Sequence, residues 1–505
     1  MFVRFKERAF VFNSWFHWII FNFLFLFSLF FLQNACAETD QNICPKLTGK
    51  VIYKNSPQYA QARLDSNYYF SKNQFPEVVV YCKNTNDVQN AIKWARCHKV
   101  PIRIRSGGHN HEAFSTGSGA IVIDVSKMKQ LKVNQSKQIA VVQPGLTGQE
   151  LYDHLYQKGL TQVGGTCADV GISGLMLTGG MGPLLRKEGM SCDSLQNLEI
   201  VNAQGNILQV SKNKNKDLFW ASCGGGGGNF GVVTSMTIKV YPAQSVTWFN
   251  IGWDWNQPVD KIISTWQKFL AKDDRRWFSH LDIWPKIFSE QKYNKLPIKA
   301  LGVFWGTPEE ARKELAPLLN IGHPKDQTIK TVNWHQAIEL FENATTVFVT
   351  SKPEYKSIGA YAMQPLPPAA VKIITDTLRK TNAPFFNVLI FSLGGAAQDI
   401  APSDTAYFYR KAKFFVMYST EWLKEDQANS QIKEVQALRN KLLPFTKGDY
   451  IGNPDRNFKD YLTIYYGENV KKLECIKKKY DPENIFHFQQ SIPPAPASVD
   501  CNALN

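Results

Sequence analysis

The stretch RIRSGGHNHEAF, residues 103–114, places two glycines directly before a histidine, at the end of a short strand-like run. Glycine pairs occur where the main chain turns tightly or where it approaches a ligand closely. Taken alone, the stretch favours a surface turn with a nearby histidine. Whether it is instead part of a binding site therefore depends on the rest of the chain.

Length and composition limit the possible classes of protein. The chain has 505 residues, which is too long for a single hydrophobic core, so two or three domains are expected. Hydrophobic residues make up 44% and charged residues 20%, which is typical of a globular chain and not of a disordered one. The net charge of +15 comes from dispersed lysines with no basic stripe among aromatic residues, so no nucleic-acid partner is expected.

The N-terminus predicts a secretory signal peptide over residues 1–37. Basic residues precede the apolar stretch 18–32, and a small-x-small pattern ending at Ala37 follows it. The alternative is an uncleaved membrane anchor, but the apolar run is shorter than the roughly 20 residues that span a bilayer comfortably. We therefore expect a secreted or periplasmic protein with no stable membrane anchor after cleavage. Eight of the nine cysteines would remain in an oxidising compartment, where some should form disulfides.

Local patterns predict an α+β fold in the first half of the chain. The β-branched run PEVVVYC is followed by a helical pattern, for which Asn86 or Asp87 is the expected cap, and then by the strand VPIRIR. Further on, LQNLEIVNAQGNILQV predicts a hairpin that turns at Gly205. Residues 246–455 are richer in Trp and Phe and predict a sheet covered on one side by helices.

Three glycine-rich stretches indicate a large ligand with a diphosphate group. They are residues 106–109, 164–182 and 217–234. Successive glycines let backbone N–H groups converge on an anion. None of the stretches has the spacing of a nicotinamide-binding or P-loop fingerprint, so both of those classes are disfavoured. No C-x-x-C pair occurs either, so no metal site is expected.

Several stretches between about residue 75 and residue 494 follow a family pattern in order: RIRSGGHN, GGTCADVGISG, LLRKEGMSCDSLQNLEIVNAQG, DLFWASCGGGGGNFGVVTSMTIKVYP, TIYYGENVKKLECIKKKYDPENIFHFQQSIPP, and the looser TAYFYR and MYSTEW. By these residues the chain resembles the berberine-bridge-enzyme-like family of FAD-linked oxidoreductases, in the vanillyl-alcohol-oxidase superfamily. The resemblance implies an α+β fold with a two-part PCMH-type FAD-binding domain (38–245). A substrate domain with an antiparallel sheet covered by helices (246–455) and a C-terminal segment that returns to the FAD domain (456–505) would follow.

The resemblance implies that FAD is attached covalently at two points, His109 and Cys167. Imidazole nitrogens and thiolates are both nucleophiles that can attack an electrophilic ring. The alternative for Cys167 is a buried structural thiol or half of a disulfide. The resemblance also implies a disulfide between Cys44 and Cys97, as in plant members. The further cofactor contacts that it implies are Arg105, Ser106, Gly107, Gly108, Asn110, Val170, Gly171, Gly174, Gly179, Gly180, Gly228, Gly231, Val233, Tyr466 and Asn469.

The substrate side departs from the family pattern. Met181 and Asn453 stand where many members have tyrosines, and Phe415 and Met417 stand where polar residues often face the flavin. None of these four side chains takes up a proton at neutral pH. We therefore expect an apolar pocket with one amide, suited to a hydrophobic or aromatic ligand.

The catalytic base is left open by the sequence. The candidates are Tyr450, Asp399, Tyr409, Tyr407 and Tyr418, and strand alternation places Tyr418 on the face opposite Met417.

Three functions remain possible. The first is an oxidase that abstracts a hydride from an alcohol, sugar or aromatic substrate and reduces O2 to H2O2. The others are a flavin dehydrogenase with a non-oxygen acceptor and a secreted flavoprotein with a binding role. The resemblance implies that Val170 lies where oxygen access is tuned, and a compact valine favours the oxidase, with a small-molecule substrate and O2 as its partners.

Overall fold

The computed structural model describes residues 44–290, 295–345 and 350–502, so the predicted signal peptide lies outside the described residues. The chain divides into two compact units, Met1–Pro45 and Lys46–Asn505. Every helix and strand described below belongs to the second unit. Within the described ranges, no helix is both long enough and apolar enough to cross a membrane.

A small mixed sheet comes first and carries the turn with the glycine pair. Its strands are β1 (Lys50–Tyr53), β2 (Val78–Tyr81), β3 (Ile102–Arg105) and β4 (Ile121–Asp124), and the helices of this region are α1 (Tyr59–Ala62), α2 (Tyr68–Ser71) and α3 (Thr85–His98). The strand order is β1-β2-β4-β3, with β2, β4 and β3 parallel and β1 antiparallel at the edge. Because α3 connects two parallel strands, the chain leaves β3 at the carboxyl end of the sheet and enters the glycine turn there.

The predicted cap of α3 is wrong by two residues or more. Asn84 is the N-cap, and its side-chain oxygen accepts the backbone N–H of Asp87 at 3.0 Å. The backbone of Asn84 is extended, as an N-cap requires, whereas Asn86 and Asp87 already lie inside the helix. Asp87 instead accepts the hydroxyl of Thr48 and the backbone N–H of Lys83.

The second sheet is antiparallel. Its strands are β5 (Leu131–Asn134), β6 (Ile139–Val142), β8 (Leu195–Val201), β9 (Ile207–Ser211) and β10 (Val232–Lys239), while β7 (Leu160–Thr161) pairs with β11 (Tyr241–Pro242) in a separate ribbon; the helices are α4 (Gly148–Tyr156), α5 (Ile172–Leu177), α6 (Leu185–Glu188) and α7 (Lys216–Ala221). The order is β5-β6-β10-β8-β9. The hairpin of β8 and β9 turns at Gly205, which has a φ of +77°, as the sequence predicted.

A seven-stranded antiparallel sheet follows. Its strands are β12 (Val246–Trp253), β13 (Trp277–Ile283), β14 (Ile298–Phe304), β15 (Asp326–Val332), β16 (Tyr355–Ala362), β17 (Asn387–Ser392) and β18 (Phe414–Glu421); the helices are α8 (Val259–Leu270), α9 (Lys286–Glu290), α10 (Pro308–Glu314), α11 (Ala316–Leu319), α12 (Trp334–Thr345), α13 (Pro368–Lys380) and α14 (Ala428–Leu442). The order is β15-β12-β14-β13-β17-β18-β16.

The two faces of this sheet have different neighbours. Val416 and Tyr418 of β18 lie in a core with residues of α8, α13 and α14, so helices cover that face. Phe415, directly before Val416, lies in the core shared with the second sheet and α5, and Met417, between Val416 and Tyr418, packs against that core. The strand alternation that placed Tyr418 opposite Met417 is therefore confirmed, and the sheet roofs the first part of the chain with its other face.

The last part of the chain returns to the first part, through α15 (Tyr461–Tyr466) and α16 (Val470–Tyr480). The fully buried Lys477 of α16 donates hydrogen bonds to the carbonyl of Asn229, the carbonyl of Phe486 and the carboxylate of Asp481, each at 2.7 Å. Because three partners satisfy the buried ammonium, this helix is locked onto the third glycine-rich stretch.

Two disulfides join cysteines of the second unit, Cys192 with Cys223 and Cys475 with Cys501. Cys44 belongs to the first unit and Cys97 to the second, so their pairing stays a prediction. Cys167 carries a free and exposed thiol, so it is neither half of a disulfide nor a buried structural thiol in this structure.

Candidate active site

Two glycine loops meet at the centre of the site. The turn after β3 contains Gly107, and the loop before α5 contains Gly171. A Cβ atom on Gly107 would lie 2.4 Å from the backbone nitrogen of Gly171, so only glycine permits this approach. His109 and Cys167 are therefore held on two loops in direct contact. Nε2 of His109 lies 3.0 Å from a carboxylate oxygen of Asp169, two residues after Cys167.

Cys167, whose thiol is exposed, lines a small pocket. Val170 lines it together with the apolar side chains of Leu175 and Met176. Gly174, in the first turn of α5, faces open space, since a Cβ atom there would meet no atom within 4 Å. The surface next to the thiol is thus shaped for a ligand that lies flat against backbone.

The third glycine-rich stretch is anchored from the C-terminal part of the chain. A Cβ atom on Gly224 would lie 2.3 Å from the backbone nitrogen of Tyr407, so glycine is required here as well. Tyr466 donates its hydroxyl to the carbonyl of Gly225 at 3.0 Å. Asn469 donates its amide to the carbonyls of Pro402 and Thr405. The side chains of Tyr466 and Asn469 thus bond to backbone carbonyls of neighbouring loops, and their contact with the cofactor stays a prediction.

Several other predicted cofactor contacts also build the scaffold. Arg105 is buried and pairs with Asp124 at 2.6 Å, and its remaining donors reach backbone carbonyls. Ser106 donates to the carbonyl of Pro144 at 2.7 Å. Asn110 accepts the N–H groups of Glu112 and Phe114 with its side-chain oxygen. The structure thus gives these polar side chains partners within the protein.

The remaining residues predicted to contact the cofactor also serve the backbone and the core. Val233 is buried on β10 opposite Ile200, inside the hydrophobic core. The other predicted glycines all have positive φ, a conformation that favours glycine: Gly108, Gly179, Gly180, Gly228 and Gly231.

The four predicted pocket residues gather around Tyr450. The ring of Phe415 lies 5.9 Å from the ring of Tyr450, and Met417 follows on the same face of β18. The backbone N–H next to Met181, that of Gly180, donates to the Tyr450 hydroxyl at 3.2 Å. Asn453 donates its backbone N–H to the carbonyl of Tyr450 at 2.8 Å. That these residues line a substrate pocket stays a prediction.

The tyrosines proposed as bases are engaged with protein groups. The hydroxyl of Tyr450 bonds to Thr178 at 2.8 Å as well as to Gly180. Tyr409 donates to the carbonyl of Ile464 at 2.9 Å, and burial raises the pKa of its hydroxyl to about 12. Tyr407 donates to the hydroxyl of Tyr361 at 2.9 Å. The hydroxyl groups of all three tyrosines therefore already have protein partners, and the assignment of a base among them stays a prediction.

Two further candidates lie elsewhere. Tyr418 is on the helix-covered face of the sheet, away from Met417. Asp399 is at the surface, where both of its oxygens accept hydrogen bonds from Arg275 at 2.6 and 2.9 Å. The structure therefore provides a surface ion pair where the sequence suggested a possible base.

His111, to which the sequence reasoning assigned no role, lies near Asn453 and Tyr355. Its ring packs edge-on against Tyr355 at 5.4 Å, and its Nδ1 atom is buried without a hydrogen-bond partner in the described part of the chain. Burial lowers the pKa of the imidazole to about 4, and the nearby Asn453 amide opposes that shift. The signal in the sequence was a second histidine in GGHNHE, two residues after His109.

A buried ionic cluster joins the histidine turn to the seven-stranded sheet and to the C-terminal part. Lys356 of β16 pairs with Glu112 and, at 2.7 Å, with Asp455. Arg456 pairs with the second oxygen of Glu112. Lys356, Glu112 and Asp455 are each at most 2% exposed at their side chains, so all three charges depend on one another for solvation.

Asp449 should make stability fall as the pH rises. Burial dominates its surroundings and raises the pKa of its carboxyl to about 8, although Arg439 lies 3.9 Å away. The folded form then keeps a proton that the unfolded chain loses above about pH 4. Between about pH 4 and pH 8 the unfolded state therefore gains stability relative to the folded one.

The variant Asp449→Asn removes this proton binding. Melting temperatures of the parent and the variant, measured from pH 5 to 8, should show the parent losing stability relative to the variant as the pH rises. The opposite slope would mean that Asp449 is ionised and held by Arg439.

Comparison with known proteins agrees with this geometry. A family model described as FAD binding domain matches residues 76–211, and one described as berberine and berberine like matches residues 449–493. The Bacillus subtilis protein named "Uncharacterized FAD-linked oxidoreductase YgaK" is 40% identical over 460 residues, which cover 90% of this chain and 99% of that protein.

Two solved structures have the same fold. Berberine-bridge-enzyme-like 1 of Physcomitrella patens is 25% identical, with a TM-score of 0.81 and coverage of 89% of this chain and 98% of that one. A chitooligosaccharide oxidase is also 25% identical, with a TM-score of 0.78 and the same coverage. Together with the near-complete alignment to the Bacillus relative, these matches show that the chain belongs to the berberine-bridge-enzyme-like family of FAD-linked oxidoreductases.

Proposed function

We propose that the protein is a secreted oxidase that carries FAD on both His109 and Cys167 and oxidises an apolar or aromatic alcohol with O2 as electron acceptor. The observation that carries the proposal is the contact between the two loops at Gly107 and Gly171, which holds an imidazole and a free thiol beside one glycine-lined surface.

The residues around that surface fit a covalently held flavin. His109 is partly buried, and its only ion-pair partner in the described part of the chain is the mostly exposed carboxylate of Asp169. Cys167 is exposed and in no disulfide, so its thiol is accessible, while desolvation raises the pKa of that thiol to about 11. Gly174 leaves open space where a side chain would block a flat ligand. When bound, FAD supplies a two-electron acceptor for hydride.

The surroundings of Tyr450 favour an apolar substrate. Phe415 is buried, and Met181 and Met417 are partly buried against the same core. A sugar would leave several hydroxyls without partners against such walls, whereas an aromatic alcohol needs partners for only one. The amide of Asn453 is buried and unpartnered in the described residues, and it can bind that hydroxyl.

Secretion is supported by the cysteines. Cys192–Cys223 and Cys475–Cys501 form disulfides, which persist in oxidising compartments. The predicted signal over residues 1–37 accounts for delivery to such a compartment.

The proposal is tested by mixing the purified protein with aromatic alcohols and with oligosaccharides, first without oxygen and then with it. We expect aromatic alcohols to bleach the flavin absorbance fastest, and air to restore it with release of H2O2. Bleaching without reoxidation by air would indicate a dehydrogenase. If no compound bleaches the flavin, the enzymatic proposal is wrong and a binding role is favoured.

The role of Val170 can be separated from substrate oxidation. Val170→Ile adds a methylene group at the pocket that adjoins Cys167, so it should slow reoxidation by O2 and leave anaerobic bleaching unchanged. Val141→Ile, on an exposed strand position, is the matched control and should change neither step. Equal reoxidation rates in both variants would contradict the assignment of Val170 to oxygen access.

A further inference from the structure

We infer that His111 is the group that accepts the substrate's hydroxyl proton and that Asn453 positions it. This inference rests on the proposed function, since it names the base of that same site. It replaces the tyrosines and the aspartate that the sequence suggested.

His111 and Asn453 carry buried polar atoms that lack hydrogen-bond partners in the described residues. Nδ1 of His111 and both side-chain heteroatoms of Asn453 are buried without a hydrogen-bond partner in the described part of the chain. Asn453 is only 3% exposed, so its amide is shielded from bulk solvent. Buried polar atoms in folded proteins are nearly always paired. The Asn453 amide lies close enough to His111 to raise the pKa of its imidazole, but no atom of either side chain named above completes a hydrogen bond in the described residues. These two side chains from distant parts of the sequence therefore indicate a site that a ligand completes.

The second step is the position of this pair. His111 follows His109, the proposed flavin attachment, on the same turn, and Asn110 fixes that turn by accepting two backbone N–H groups. His111 is held from the other side by Asn67, whose amide donates to its backbone carbonyl at 2.8 Å. Asn453 follows Tyr450, around which the pocket residues gather. The imidazole therefore follows the proposed flavin attachment by two residues and lies near Asn453, one of the proposed pocket residues.

The third step is the protonation state. The titratable or charged groups around His111 are His109 on its own turn, Glu112 next to it, Tyr355 and Lys356 on β16, and Asp455 after Asn453. The carboxylates of Glu112 and Asp455 are occupied by Lys356 and do not pair with the imidazole. Burial, His109 and Lys356 all lower the pKa of His111, so the ring is neutral at neutral pH and has a lone pair to offer.

Oxidation of the alcohol to a carbonyl removes one hydride and one proton. Bound FAD would supply the two-electron acceptor for the hydride of the carbinol C–H bond. The O–H bond of the carbinol breaks at the same time, and the proton passes to Nδ1 of His111 as the C=O bond forms. Asn453 keeps the imidazole oriented through its amide and binds the substrate oxygen. Release of the proton to solvent restores the neutral ring.

The test compares His111→Gln with His154→Gln, which changes an exposed histidine of α4. With an aromatic alcohol that bleaches the wild-type flavin, His111→Gln should slow anaerobic bleaching by about 10²–10⁴-fold, the usual contribution of a general base. Flavin attachment should be unchanged in both variants, and His154→Gln should behave as the wild type. An unchanged rate in His111→Gln overturns the inference alone, whereas failure of every alcohol to bleach the wild type overturns the proposed function with it.

The pH profile distinguishes a base from a structural residue. The wild-type rate should fall only towards pH 4, because His111 is neutral above its pKa of about 4. Asn453→Ala should move this limb to still lower pH, since the amide raises that pKa. A limb that stays in place in Asn453→Ala contradicts the positioning role.

A measurement without turnover gives an independent readout. The unfolded chain binds a proton at His111 below about pH 6.5, and the folded chain does so only near pH 4, so acidification over this range destabilises the fold. The unfolding midpoint of the wild type should therefore fall more steeply from pH 6.5 to 4.5 than that of His111→Gln. Parallel curves would mean that His111 is not held neutral.

Discussion

Replacing Lys356 by methionine should lower the free energy of unfolding by about 3–5 kcal/mol, the usual effect of breaking a buried ion pair from one side. The ammonium of Lys356 lies between Glu112 and Asp455, and its side chain is 1% exposed. Methionine fills a similar volume but leaves Asp455 without its cation and Glu112 with Arg456 alone. The loss therefore comes from uncompensated charge and not from a cavity.

Lys54→Met provides the matched control for this prediction. Lys54 pairs with Glu77 at 2.6 Å, but both side chains are about half exposed at the surface. Solvent and salt screen such a pair, so its removal should cost only about 0–1 kcal/mol. Urea unfolding followed by fluorescence measures both variants. Similar midpoints for Lys356→Met and Lys54→Met would show that the buried cluster does not depend on the lysine charge.

The cluster also has a consequence for the site. Glu112 follows His111 directly, and Lys356 follows Tyr355, against which the His111 ring packs. The ion pairs thus tie the histidine turn to the edge strand β16. We therefore expect Lys356→Met to shift the histidine turn away from β16, and so to impair the site as well as to lower the stability of the protein.

Removing both His109 and Cys167 should release the flavin completely on denaturation. In the wild-type protein, acid precipitation should give a yellow pellet and a colourless supernatant, since two covalent bonds would hold the cofactor. Each single variant, His109→Ala or Cys167→Ala, should keep a yellow pellet through the other bond. Only the double variant should give a colourless pellet.

Peptide mapping identifies the bonds in the single variants. The flavin-bearing peptide should contain Cys167 in His109→Ala and His109 in Cys167→Ala. Cys82→Ala is the matched control, because Cys82 is the buried free thiol of the described residues and should leave the attachment intact. Loss of the flavin in one single variant would show a single bond, and a yellow pellet from the double variant would place the attachment elsewhere.

The sequence predicted those features that depend on neighbours along the chain. The strand alternation of β18, the β8–β9 hairpin and the helix-covered sheet each follow from local patterns, and the structure confirms them. The glycine loops could be recognised for the same reason, because a motif of consecutive residues identifies a turn and a family. The local pattern did not identify the N-cap of α3 correctly, because several neighbouring residues can cap a helix. Asn84 is the N-cap, whereas Asn86 or Asp87 was expected.

The hydrogen-bond partners of the polar side chains could not be predicted from local sequence patterns. Arg105, Tyr466 and Asn469 belong to the motifs, yet their side chains bond to other parts of the protein. Asp399 was a candidate base in the sequence, but in the structure both of its carboxylate oxygens accept hydrogen bonds from Arg275. A motif reports that a residue type is present, and only the folded chain shows which partner uses its hydrogen-bonding capacity.

The amino-acid sequence by itself determined the family, the α+β class and the loops that bring glycine, histidine and cysteine together, because these properties are encoded in short contiguous patterns. Only the tertiary structure decided that His111 meets Asn453 and that Lys356 meets Glu112 and Asp455. These contacts join segments far apart in the chain. Burial removes the hydration of a polar group, and groups from distant parts of the chain then replace the water. The protonation state and the hydrogen-bond partners of a buried group therefore depend on the tertiary structure, and no local pattern carries that information.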